Sequence, residues 1–126
     1  MRLKLIGLVL VGLLVLGVSS VALAAGGLPG TYTTTVKSPS QLKGKWVLTL
    51  ATDGTYRVAL NGKALARGTY SATPTTITLR EPQGCGGTGT YAWKKSGKTM
   101  TFIRKRESSS CPERAAVLAH RFTQVR

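Results

Sequence analysis

Apolar residues in this chain alternate with polar ones in short runs, and each run ends at a turn dipeptide. The run "KWVLTLAT" (Lys45 to Thr52) puts Trp46, Leu48 and Leu50 on one face and Lys45, Val47 and Thr49 on the other. In "TYRVAL" (Thr55 to Leu60), Tyr56, Val58 and Leu60 fall together while Arg57 turns outward. A period of two belongs to the β-strand, whose successive side chains point to opposite faces. The longer period of a helix is nearly absent. Asp53-Gly54 and Asn61-Gly62 are hairpin signals, because both residue pairs tolerate the backbone that tight turns need. "GTYSAT" and "TTITLR" read as two more strands divided at Pro74-Thr75. "TYAWKK" and "TMTFIRKR" join across Ser96-Gly97, with Tyr91, Trp93, Met100 and Phe102 expected inward. "HRFTQV" reads as the last strand and "GTYTTTV" as an additional first one, and "ERAAVLA" has room for one helical turn. The expectation is an all-β meander of about seven or eight short antiparallel strands.

Every one of the 4 tyrosines stands in the tripeptide GTY, at Tyr32, Tyr56, Tyr70 and Tyr91. The copies are spaced 24, 14 and 21 residues apart, too irregularly for a solenoid repeat. Glycine suits the end of a turn, threonine opens a strand toward solvent, and tyrosine is then the first inward or rim residue. GTY therefore marks where strands begin.

The first 25 residues stand apart. Arg2 and Lys4 precede the uncharged run Leu5 to Val18, and Ala22-Leu23-Ala24 supplies small residues at cleavage-site spacing. This order predicts a signal peptide over residues 1–25 and one domain over 26–126, in a secreted or cell-envelope protein. The alternative is an uncleaved membrane anchor, since the apolar run reaches about 20 residues. Without Arg2 and Lys4, the formal charge falls from +14 to +12. That excess suits an anionic envelope surface, or simply solubility. Two cysteines in an exported chain, Cys85 and Cys111, predict one disulfide.

Chemistry is sparse. The acids are Asp53, Glu81, Glu107 and Glu113, in turns, loops or strand ends, and His120 is the sole histidine. No nucleophile motif or phosphate loop is present, so neither enzyme activity nor a cofactor is expected. Two cysteines and one histidine fall short of a tetrahedral metal site. "GCGGTG" (Gly84 to Gly89) reads as a disulfide loop. Lys94, Lys95 and Lys98 lie at one end of a hairpin, and Arg104, Lys105 and Arg106 at the other. With no exposed aromatics among them, nucleic-acid binding is not expected.

The segment "SPSQLKGKWVLTLATDGTYRV" resembles the opening of lipocalin-like (calycin) barrels, where G-x-W (here Gly44-Lys45-Trp46) follows an irregular lead-in. The mature chain, with its paired cysteines and "CPERAAVL", also looks like small exported bacterial domains of that type. The resemblance implies an up-and-down barrel in which Trp46 closes one end against a basic residue of the last strand, the part Arg121 would take. It also implies a binding module for a small apolar or amphipathic ligand, with Tyr56, Tyr70, Tyr91 and Trp93 as candidate contacts. The basic loops would favour an anionic head group. An eight-stranded barrel can instead fill its interior with side chains. The alternative function is an envelope-associated interaction or inhibitor-like module that uses the basic loops.

Overall fold

A computed structural model describes residues 27–126, and the signal peptide expected over residues 1–25 lies outside the described residues. Eight strands follow in chain order: β1 (Gly30–Val36), β2 (Gly44–Leu50), β3 (Thr55–Leu60), β4 (Lys63–Ala72), β5 (Thr76–Arg80), β6 (Thr88–Ser96), β7 (Thr99–Glu107) and β8 (Phe122–Gln124). Each pairs antiparallel with the next, and β8 returns to β1 through Tyr32↔Gln124 and Thr33↔Thr123, closing a barrel. Closure removes the free sheet edges that a meander would otherwise leave for other chains to pair with. A 3-10 turn (Ser40–Leu42) lies between β1 and β2, and one helix, α1 (Pro112–Leu118), lies between β7 and β8. No helix among the described residues is long and apolar enough to cross a membrane.

The turns show how local chemistry sets register. Asn61 (φ 52°) and Gly62 (φ 83°) form a two-residue connection with both residues left-handed, the geometry that matches strand twist in a hairpin. Asn61 Oδ1 also accepts from the Lys45 N–H at 2.9 Å, tying this turn to β2. The Asp53-Gly54 connection differs from a two-residue hairpin. It spans Ala51 to Gly54, with the Gly54 N–H donating to the Ala51 carbonyl at 3.2 Å. Gly54 alone is left-handed there (φ 88°), and Asp53 Oδ1 instead accepts from the N–H and hydroxyl of Thr55. β4 starts at Lys63, five residues before the expected Gly68, because its first half is largely exposed and carries no alternating apolar face.

The alternating residues point where their period requires. Leu48, Leu50, Tyr56, Ile77, Leu79, Tyr91, Met100, Phe102 and Phe122 are all buried in one core. Phe102 and Phe122 meet edge to face, with centroids 5.8 Å apart. Each such side chain contributes roughly 1.5–3 kcal/mol by leaving water. Lys95 also turns inward at one end, its ammonium 5.8 Å from the Tyr32 ring centre and 2.8 Å from the Gly27 carbonyl. Charge around the β6–β7 turn is thus carried outward by Lys94 and Lys98, with Lys95 partly withdrawn.

Candidate functional site

The barrel end opposite the Asp53-Gly54 turn is covered by the 3-10 turn, the β3–β4 connection, the β5–β6 loop and α1. Beneath them lies a partly open cavity of about 330 Å³. Trp46, Leu48, Val58, Leu60, Leu79 and Phe122 supply apolar walls. Trp46 is fixed by donating its indole N–H to the Leu42 carbonyl at 2.7 Å, which joins β2 to the 3-10 turn. Among the lining residues Gln41, Glu113 and Leu65 are exposed, so they mark the mouth; Leu65 is 51% exposed.

The cavity's polar end is built by the disulfide. Cys85 in the β5–β6 loop is bonded to Cys111, which stands at the N-terminus of α1. Proline at the first helical position needs no hydrogen-bonded N–H, so the helix starts directly after the bridge. One turn on, α1 turns Arg114 into the barrel, while Val117 and Leu118 pack into the core. The Arg114 side chain is only 9% exposed and that of its partner Glu107 only 3%. Two bonds join them, from Nε to Oε2 at 2.9 Å and from Nη2 to Oε1 at 2.6 Å, and Nη2 also donates to the Gly87 carbonyl. Tyr91 donates its hydroxyl to Glu107, and Tyr56 donates to Glu81 Oε1 at 3.1 Å. Glu81 is itself only 6% exposed.

These contacts move the titrations in directions set by their causes. Burial works to raise the Glu107 carboxyl, but the bonds from Arg114, Tyr91 and the Ser108 N–H outweigh it and hold the group below its usual 4.5. Burial would lower Arg114, and the bonds and charge of Glu107 reverse this and raise it. Tyr56 is pushed up, first by burial and then by the charge of Glu81, with Arg114 opposing. Arg114 lies close enough to the Tyr56 hydroxyl to act on it as a neighbouring donor and through its charge, and its Nη1 is buried without a hydrogen-bond partner.

The glycine-rich loop is explained by the same cluster. A Cβ on Gly84 would stand 2.6 Å from Glu81 Oε2, and one on Gly89 would stand 2.6 Å from Glu107 Oε2. Both carboxylates press against bare backbone, so close approach rather than phosphate binding accounts for these glycines.

Of the four candidate ligand contacts, Tyr56 lines the cavity, and Tyr70, Tyr91 and Trp93 are not among its lining residues. The Tyr70 hydroxyl is held by the Ala51 carbonyl at 2.6 Å, and the Trp93 indole by the Thr73 carbonyl at 2.9 Å, both in turns. Arg121 is exposed, because alternation in β8 sends Phe122 inward. The basic residue that lines the cavity together with Trp46 is Arg114, from α1. Arg114, Glu81 and Glu107 escape a sequence reading because charged side chains are by default assigned to the surface. Their one signal is indirect, in glycines crowded between the strand ends that carry the two acids. Among the described residues, no group of three or more His, Cys, Asp or Glu is placed to hold a metal. No protein-family model, curated protein or solved structure matches the chain, so the site stands on its own geometry.

Proposed function

We propose that the protein is an exported, lipocalin-like binding module that takes a small, mainly apolar ligand into the barrel end, without turning it over. The observation that carries this reading is the cavity of about 330 Å³, whose walls are mostly apolar and whose buried polar groups are Tyr56, Glu81 and Arg114. That composition is the usual one for small-molecule pockets, which fall between roughly 300 and 1,000 Å³. Leu65 at the mouth supports it as an exposed apolar lip beside Gln41 and Glu113. Export is supported by the disulfide and by the leader-like run before Gly26. Because Trp46 lines the cavity, tryptophan fluorescence reports on it directly. Titration of the mature protein with aliphatic alcohols and acids should give a saturable change, whereas a response linear in ligand would reject the reading.

A second reading uses the outer wall. Arg57 and Arg67 are cross-strand partners, both exposed, beside a groove that includes Gln83. Like charges directly opposite destabilise a sheet pair unless an anion meets them. This favours an anionic partner, such as an envelope polymer or lipid surface. Binding to anionic vesicles that weakens with salt and with Arg57→Gln plus Arg67→Gln is the expected result; salt-independent binding would reject it.

A further inference from the structure

The polar end of the cavity constrains the ligand's head group more tightly than its apolar walls constrain the body. Two polar atoms of buried side chains there lack a protein partner of the right kind. Arg114 Nη1 is a buried donor that makes no hydrogen bond among the described residues. Glu81 Oε2 has Cys85 Sγ at 3.8 Å as its neighbour, but that sulfur is in the disulfide and has no proton to give. The other carboxylate oxygen, Oε1, already accepts from Tyr56. Both residues line the cavity, and Gly84 lets the loop close against Glu81 so that the carboxylate stays where it is.

Charge then selects among heads that could meet these atoms. Arg114 is matched by Glu107 through two bonds, so its positive charge is already offset. Glu81 inside and Glu113 at the mouth remain as an acidic surplus around the same cavity. An anionic head would approach two carboxylates, and a cationic head would approach the free edge of a guanidinium. A neutral group with one acceptor and one donor meets both atoms without either conflict, and leaving either atom unpaired on ligand entry would forfeit its water for nothing.

We propose that the ligand is an uncharged molecule with an aliphatic body and a head that both accepts and donates a hydrogen bond, such as a primary amide or an alcohol. Its acceptor sits on Arg114 Nη1 and its donor on Glu81 Oε2. The cavity holds on the order of ten water-sized groups at about 30 Å³ each, which suits a medium-length chain. This differs from the anionic head group expected from the basic loops, none of whose lysines and arginines line the cavity. The proposal rests on the reading of the cavity as a ligand site.

The test compares octanamide, octanoate and octylamine, which share one body, by calorimetric titration of the mature protein with its disulfide intact. Octanamide should bind at least about tenfold more tightly than either charged analogue. Glu81→Gln keeps an acceptor for Tyr56 and removes the charge. It should narrow the gap between octanoate and octanamide by about tenfold, with the thermal midpoint showing that the variant folds. Octanoate or octylamine binding as tightly as octanamide would overturn the neutral head while leaving the binding reading in place. Absence of binding by all three would overturn both.

Discussion

At Tyr32, Tyr56, Tyr70 and Tyr91 one tripeptide has one outcome: the ring is buried and the hydroxyl is tied to a carbonyl or carboxylate. The inward direction of all four follows from strand alternation and was legible in the sequence. The identity of the partners was not, because Glu81 is brought in by the loop after β5 and Glu107 by the end of β7. Burial pushes every one of the four phenols above the usual 10.0, Tyr32 to about 12. A phenol whose pKa is raised on folding adds stability that is fully present below the unfolded value. That stability is lost as pH rises from there through the folded value. Ultraviolet titration should therefore show no tyrosinate near pH 10 in the native protein, then a cooperative rise as the chain unfolds. A phenol titrating freely near pH 10 would show that its ring is not buried. Glu107 runs the other way. Its depressed value contributes stability above about pH 4.5 that disappears as pH falls through the folded value. Glu107→Gln should flatten that acid limb and cost about 3–5 kcal/mol, since it leaves Arg114 buried without a counter-charge. Urea unfolding across the acid range measures both.

Among the elements, α1 does the most with the fewest residues. Held by Cys111 at its start and by Val117 and Leu118 in the core, it places Arg114 inside the barrel and covers one end. The sequence allowed a helical turn there, and the even cysteine count in an exported chain indicated the bridge. Which charge the helix would carry inward depended on its rotation against β7, and no local pattern encodes that. Replacing Cys85 and Cys111 together by serine should lower stability by about 3–4 kcal/mol, because the bridge closes 26 residues of separation. Hydrogen exchange should then quicken in Pro112–Leu118 before it does in β2 or β3. Uniform quickening across the barrel would mean that α1 is not a separately anchored element. β4 teaches the converse lesson: its first half, Lys63 to Arg67, is held by pairing with β3 rather than by its own alternation, so its start was not legible.

For the whole molecule, closure of eight strands around a partly unfilled apolar interior is the arrangement from which function follows. Strand number and order could be read from the turns, and closure only through the resemblance carried by Gly44-Lys45-Trp46. The sequence inclined to a filled interior and could not fix the volume, which depends on how Trp46, Val58 and Phe122 meet across the barrel. Val58 is partly buried and lines the cavity, so Val58→Trp obstructs the space while leaving the Arg114 and Glu81 side chains unsubstituted. Any added strain should stay within about 1–3 kcal/mol. Calorimetric titration of octanamide into the native protein and into Val58→Trp tests the central claim most directly. The account predicts saturable one-site binding to the native barrel and none to the folded variant. Equal binding to both, or none to the native protein, would contradict it.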